Sequence, residues 1–515
     1  MTNKEKLSML KQPSVKLRYK IELLDEFLNV ESTLTSSVAS LTMSINAESD
    51  IRKTAVLKMI VEDNSFTEEG FEMNWLDKAI RLSIGVYNGT EYYYYTLGTM
   101  LLGSDSYEYS ADKNELTLQL NDIMSSGTSE RGSQIGTDVV IEHDNIIKNV
   151  LEAFVARYMP FSKTNVADFP DVIPYDQEFE AGVYPLEVLK TIVGLFPTYE
   201  QYYDDDGVYN AQVIPTRIDE ICALCDNADD LLIDDMIVSE KRSFNFSGVK
   251  NTTEIWGRTL DYDYVASGCV STGATYALTF PTELETVETP ADWCFVPDVN
   301  SQANPQIQFT IVDDKTKGTT KIVTLELLDE NEKSLAAGAL TAGRSYVFQS
   351  VSRVENEQAV TKLLLQGQRQ IHVIVREVNK QPSEQDIADD KSFNACEDIY
   401  YVVNPDSPYA CDRGGQEMRY GEIRQVLRDG DYASIYTTDL AIQRGKYENY
   451  LKARMNTDVE LSTILIPFLT VNQKIQYTSP RTNEVHQYMV KSIDMDFSQF
   501  TMTMKLSRFY NYYPF

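Results

Sequence analysis

The sequence predicts an α+β fold, β-rich and spread over several domains. Three observations predict it. The chain has 515 residues, and chains of this size divide into cores of about 100–200 residues, which implies roughly three or four domains. Apolar and polar residues alternate near both ends, the pattern of half-buried strands. Between the ends lie segments whose apolar residues recur at helical spacing. The apolar and charged fractions, 43% and 24%, are those of an ordinary folded protein.

In chain order, Leu17, Tyr19, Ile21 and Leu23 alternate with Arg18, Lys20 and Glu22. Leu41, Met43 and Ile45 alternate with Thr42 and Ser44, and Leu116, Leu118 and Leu120 with Thr117 and Gln119. Residues 53–61 supply a further strand, and short strands at this spacing suggest a sandwich or barrel. A helix follows with Ile147, Val150, Leu151, Phe154 and Tyr158 on one face, capped by Asp144 and ended by Pro160. Pro185 opens a second helix, with Leu186, Leu189, Val193 and Phe196 on one face. The run from Tyr202 to Tyr209 reads as a hairpin with Asp206-Gly207 at its turn. A third helix is expected to start near Thr216. From about Thr253 the pattern returns to strands, at 276–280, 308–312, 322–327 and 371–378. Gln381-Pro382-Ser383 and the acids after it mark 380–391 as a linker or loop. A helix is expected over 432–454. Two strands close the pattern: 487–497, then Phe500, Met502, Met504 and Leu506 against Thr501, Thr503 and Lys505.

Charge and cysteine usage narrow the function classes. Seventy-eight acids stand against 46 bases, for a net charge of −32. A nucleic-acid clamp needs a basic footprint, so that class is disfavoured. An acidic surface keeps the chain soluble and repels DNA from whatever it lines. No apolar run reaches the ~18 residues of a membrane span. The N-terminus has positive charge without an apolar signal core, so folding in a cytoplasm without export is expected. The six cysteines, in a chain of this length, do not read as a disulfide framework. The 32 tyrosines favour strands and interfaces.

Catalytic and metal motifs are weak. Cys222-Ala-Leu-Cys225 is the one CxxC, and a structural zinc site needs a second pair that Cys269 and Cys294 are too isolated to form. Ile218, Ile221, Cys222 and Cys225 share a helical stripe, so buried thiols are the preferred reading. His143, His372 and His486 have no HExxH partner and no Ser or Cys elbow nearby. Asp204-Asp205-Asp206-Gly207 lacks the alternating acids and distant Glu of a calcium loop. Gly132 to Gly136 has no Lys-Ser/Thr end and is no phosphate loop. No catalytic, cofactor-binding or metal residue is assigned.

The order of segments carries more. Residues 51–57, Ile-Arg-Lys-Thr-Ala-Val-Leu, are followed by Tyr95-Thr96-Leu97-Gly98-Thr99-Met100 and by Glu115 to Met124. Next come the helix from Val183 to Phe196 and the Asp-Gly hairpin. Towards the end stand Asn404-Pro405-Asp406-Ser407-Pro408, the run 421–427, the run 432–441, Ile466 to Ile475, and Arg508-Phe509-Tyr510-Asn511-Tyr512-Tyr513-Pro514-Phe515. This succession resembles a tail-protein family of phages infecting Gram-positive bacteria. That family is related in fold to the baseplate hubs of contractile phages and to the N-terminal module of siphophage tail-associated proteins.

The resemblance implies two tail-tube-like β-barrel domains with intervening α/β and β regions. The expected divisions are a first barrel at 1–130, an α/β domain at 131–250, a β-rich middle domain at 251–395, and a second barrel region at 396–515 that includes the helix 432–454. It implies a non-enzymatic homo-oligomer, a trimeric ring whose two barrels per subunit mate with the sixfold distal tail or tail tube protein. A spike, plug or tip protein would sit on the other end, with the tape measure protein as a further contact. DNA would only pass through the lumen, lined by some of the acids, and no membrane insertion is implied. The expected location is the virion tail tip or baseplate, after assembly in the host cytoplasm. One alternative is a sixfold distal-tail adaptor or tube-initiator ring. Another is a tail-associated cell-wall hydrolase. The sequence ends at Phe515 directly after the hub-like terminus, so an enzyme would be expected only within 250–380, which has one His and no recognisable nucleophile. A third is a carbohydrate or peripheral-protein contact through the β surface of 250–380.

Overall fold

Strand-forming alternation and helix signals translate into 29 strands and five α-helices among the described residues of the computed structural model. The structure describes residues 3–12, 14–34, 37–61, 78–174, 176–196, 198–214, 233–314, 316–329, 331–355, 358–405, 407, 409–411, 421–433, 435–454, 456–479, 482–483 and 485–508. The fold is α+β and β-rich. It contains two units, Met1–Val249 with Met455–Tyr513, and Lys250–Arg454.

The chain opens with α1 (Asn3–Leu10), β1 (Leu17–Leu24), β2 (Val30–Leu34), β3 (Ser37–Asn46), β4 (Lys53–Ile60), β5 (Ala79–Tyr87), β6 (Tyr92–Ser110) and β7 (Glu115–Asp122). An α/β insert follows: β8 (Val139–Ile141), α2 (Ile147–Tyr158), β9 (Thr164–Val166), β10 (Gln177–Phe179), α3 (Pro185–Gly194), β11 (Tyr199–Tyr203) and β12 (Tyr209–Val213), then β13 (Ile237–Asn245). The second unit begins with β14 (Thr252–Thr259). It continues with β15 (Tyr264–Val265), β16 (Gly268–Thr272), β17 (Thr275–Thr279), β18 (Ala291–Phe295), β19 (Gln306–Asp314), β20 (Thr319–Leu328), β21 (Tyr346–Glu355) and β22 (Gln358–Gln368). It closes with β23 (Gln370–Val378), α4 (Glu384–Asn394), β24 (Asp398–Val403), β25 (Arg424–Leu427) and α5 (Thr438–Lys452). The chain then returns to the first unit as β26 (Asn456–Ile464), β27 (Lys474–Thr478), β28 (Val485–Asp496) and β29 (Thr501–Arg508).

In the first unit the two β-rich ends of the chain meet in one sheet. Twelve strands run β13-β26-β29-β28-β3-β4-β7-β6-β5-β1-β2, with β27 on β28. The seam is the antiparallel pair β3/β28, in register at Met43↔Met495 and Ile45↔Ile493. The inward rows are those the alternation predicts: Leu41, Met43 and Ile45; Leu116, Leu118 and Leu120; Met502, Met504 and Leu506. They fall into a single hydrophobic cluster that also takes Leu7, Met9 and Leu10 of α1. One core therefore holds both ends of the chain, and burial of its apolar rows is the driving term.

The second unit has two parts. The strands β15 to β22 form an eight-stranded sheet system in the order β15-β18-β21-β22-β20-β19-β17-β16. Their aromatic core is built on Trp293, Phe295, Phe309 and Phe348. The other part is the mixed sheet β24-β23-β14-β25, on which α5 lies. A Cβ added to Gly445 would overlap Val375 Cγ2, so glycine sets that close approach.

Three local expectations meet a different outcome, and a fourth lies outside the described residues. Asp144 does not cap α2: it sits at φ 60°, and the cap position is Ile146, without a side-chain hydrogen bond. The expected linker 380–391 is largely the helix α4, started by a capping box in which Ser383 and Asp386 bond each other's backbone. The helix expected over 432–454 is shorter, because Thr437 caps it and a separate 3-10 turn occupies Gly430–Tyr432. The helix expected from Thr216 falls outside the described residues.

Candidate functional site

Where β4, β3, β28 and β29 lie side by side, Thr54 and Val56, Thr42 and Ser44, Asp494 and Asp496, and Thr501 and Thr503 line a shallow depression. These are the alternate residues to the core rows. Ser44 Oγ donates to Asp494 Oδ1 at 2.7 Å across the seam. Asp496 Oδ1 accepts the backbone N–H groups of Ser498 and Gln499 at 2.9 Å each, which fixes the turn into β29. The depression holds hydroxyls and carboxylates without a His or Cys, so it offers no nucleophile with a base beside it. What it can do is hold water and repel a polyanion.

Beside this face, a buried ionic joint ties the insert to the sheet. Arg52 Nη2 donates to Glu200 Oε2 at 2.6 Å, with both side chains buried. The Arg52 guanidinium lies 4.0 Å from the Tyr202 ring centroid. Glu200 also accepts from Asn472 Nδ2 at 2.7 Å and Gln212 Nε2 at 3.1 Å. Lys53 Nζ pairs with Asp205. Asp122 accepts from the backbone N–H groups of Lys53 and Met124 at 2.9 Å each. Burial pushes the Asp122 carboxyl up to about 6, against those two donors. One joint thus connects β4, β7, β11, β12 and the turn before β27. In the sequence the signal was Lys53, which occupies an inward position of a strand otherwise filled by Ala55, Leu57 and Met59.

The second unit carries a different network on β14 and β23. Glu254 accepts from Arg424 Nη1 at 2.6 Å and Trp256 Nε1 at 2.9 Å, and its Oε1 lies 3.0 Å from His372 Nε2. The His372 and Trp256 rings stack at 3.7 Å between centroids. Burial works to raise the Glu254 carboxyl, but the bonds from Arg424 and His372 leave it below its ordinary value. Burial also lowers His372 from its ordinary 6.5, outweighing Glu254. A histidine lowered in the folded state is protonated first in the unfolded one, so stability falls as pH drops below about 6.5. Denaturation of the full chain at pH 7 and pH 5 is expected to show a steeper loss for wild type than for His372→Gln. Equal slopes would contradict this.

The residues singled out from sequence scatter. Asp204 to Gly207 form a hairpin turn, with Gly207 at φ +78° and Asp204 Oδ1 accepting from Asp206 N and Val208 N. Its neighbour Asp205 joins the ionic joint. His143 Nδ1 lies 2.7 Å from Asp176 Oδ1 in the insert, far in sequence and role from His372. His486 lies in β28. A Cβ on Gly132 would overlap Ser126 O, so that glycine serves a close turn. Cys269, Cys294, Cys396 and Cys411 are free thiols. Cys222, Cys225 and residues 509–515 lie outside the described residues. Among the described residues, no group of three or more His, Cys, Asp and Glu is placed to hold a metal ion. No described helix is long and apolar enough to cross a membrane.

Compared with known proteins, residues 406–513 match a family described as a domain of unknown function, DUF5048. No curated protein sequence matches the chain. Among solved structures, the chain is similar to a tail protein from Neisseria meningitidis MC58, at 6% identity and a TM-score of 0.45, over 95% of this chain and 96% of that one. It is similar to the 43 kDa tail protein of prophage MuSo2 from Shewanella oneidensis, at 10% identity and 0.42, over 95% and 98%. It is also similar to prophage tail protein gp18 from Listeria monocytogenes EGD-e, at 8% identity and 0.36, over 95% and 94%.

Proposed function

We propose that this chain is a non-catalytic structural subunit of a bacteriophage tail tip, a baseplate hub that forms a trimeric ring. The ring joins the sixfold tail tube or distal tail protein to a spike, plug or tip protein, and DNA passes through its lumen. The observation that carries the reading is the single sheet built from both ends of the chain. Three of the segments that resemble the hub family, 51–57, 95–100 and 115–124, fall on its strands β4, β6 and β7 or directly beside them. Its strands β2, β13 and β27 each pair on one side only among the described residues, and strand edges left open suit a subunit whose neighbours complete a closed ring. The hydroxyl and carboxylate face at the β3/β28 seam suits a lumen wall, since it would not hold DNA.

Measured mass in solution tests this. Three copies of a 58.6 kDa chain are expected. Six copies would favour the distal-tail adaptor, and a monomer at every concentration would overturn the ring. A particle reconstruction with a basic channel wall would overturn the lumen assignment. Clearing of host cell wall by the purified protein would overturn the non-catalytic reading.

A further inference from the structure

The first twenty residues run against the charge of the chain. They hold Lys4, Lys6, Lys11, Lys16, Arg18 and Lys20 against one acid, Glu5, in a protein of net charge −32. The fold turns part of this run into a surface. Lys16 and Arg18 are exposed at the start of β1. Lys16 Nζ lies 5.5 Å from the Tyr87 ring centroid and the Arg18 guanidinium 5.8 Å from that of Tyr92. Tyr87 and Tyr92 face each other across the β5–β6 hairpin at 5.3 Å, and Tyr94 follows Tyr92 at 6.5 Å. Tyr94 leans over Gly85, where a Cβ would come 2.9 Å from its ring. The register Arg18↔Gly85↔Tyr94 fixes the patch across three neighbouring strands. Rigid tyrosines beside cations are the composition of an interface centre.

The same unit carries a surface of opposite character. On the β8–β10 ribbon, Val140 is 56% exposed, and Ile146 beyond it is 57% exposed. Around them Asp138, Glu142, Glu178 and Glu180 are exposed, and Val140 stands directly opposite Glu178. One patch is aromatic with a basic rim; the other is aliphatic with an acidic rim. Stacking rings beside cations also suit a single-stranded nucleic acid, but the surrounding acidic chain repels a polyanion. We infer that the Tyr87–Tyr92–Tyr94 patch docks on the Val140 ribbon of a second copy of this chain, head to tail. The inference rests on the ring reading and names its contact. A head-to-tail contact uses two different patches of one subunit, the kind that closes into rings.

Charge reversal in the full chain tests it, read as oligomer mass against concentration. Lys16→Glu with Arg18→Glu is expected to weaken association by at least about tenfold. Glu142→Lys with Glu178→Lys is expected to do the same. All four changes in one chain are expected to restore the oligomer, which no unfolding or general charge effect would produce. These residues are exposed, so each variant should keep the wild-type circular dichroism spectrum and melt. If the four-fold variant stays monomeric, or Lys16→Glu with Arg18→Glu leaves the oligomer intact, the contact is overturned and the ring stands. If wild type is monomeric at every concentration, the ring falls and this contact with it. If an oligothymidine binds wild type and loses affinity in Lys16→Glu with Arg18→Glu while oligomer mass is unchanged, the patch belongs to nucleic acid and the inference is overturned.

Discussion

Glu200→Ala is expected to destabilise the first unit by about 3–5 kcal/mol, the cost of leaving one member of a buried ion pair without its partner. Arg52 is 6% exposed, and a guanidinium offers only donors, so it needs an acceptor where it is buried. Glu200 is its carboxylate, at 2.6 Å, and the same oxygen accepts from Asn472. After the change the Tyr202 ring still faces Arg52 at 4.0 Å, but a cation–π contact of about 1–2 kcal/mol does not replace a buried carboxylate. The double change Arg52→Met with Glu200→Leu should cost less than Glu200→Ala, because an apolar pair removes both desolvated charges together. Since the chain has two units, a single unfolding free energy is not the right reading. Native-state hydrogen exchange of the β4 and β11 amides reports the unit directly. A change under about 1 kcal/mol for Glu200→Ala would mean that water reaches the pair and that its burial is not what holds the joint.

How this joint escaped the sequence shows where sequence reading stops. Alternation tells which face of a strand is buried, so β3, β4, β7 and β29 were legible as strands, and their inward residues with them. It does not tell which strand lies alongside. Ser44 and Asp494 bond across the β3/β28 seam although 450 residues separate them, and nothing local to either strand names the other. The same holds for Arg52 with Glu200 and for His372 with Glu254: each half is an ordinary residue in or beside an ordinary strand until the fold pairs them. Some misses were readable. Ser383, directly after Pro382 and three residues before Asp386, has the spacing of a capping box, although Gln381-Pro382 beside it is also the composition of a linker. Lys53, inward among apolar residues, marked a buried partner in advance. Asp144 had the right residue type for a cap but stood two positions before the cap itself, within the ordinary uncertainty of helix ends.

Trp293→Ala is expected to cost the β15–β22 region about 3–5 kcal/mol, the range for emptying a large aromatic site in a closed core. Trp293 is fully buried. It stacks on Tyr264 at 4.3 Å and meets Phe309 and Phe280 edge-on at 5.1 and 5.3 Å. Its Nε1 donates to Ser350 Oγ at 2.8 Å, and Ser350 is itself buried. The aromatic neighbours are held on paired strands and cannot collapse into the space, so little of the cavity term is recovered. Ser350 Oγ loses the donor it accepts from, although its own hydroxyl still reaches the Glu288 and Ala291 carbonyls. Trp293→Phe keeps one aromatic ring in the site and forfeits the donor and part of the volume, so it should lie below Trp293→Ala. This core shares no residue with the large cluster of the first unit, which makes the location of the effect as informative as its size. Limited proteolysis should cut Trp293→Ala between β15 and β22 while exchange at β3 and β28 stays at the wild-type rate. Equal acceleration at β3 and β28 would mean that the inserted strands are part of the cooperative unit that holds the sheet, and the middle of the chain could then no longer be treated as a separable attachment.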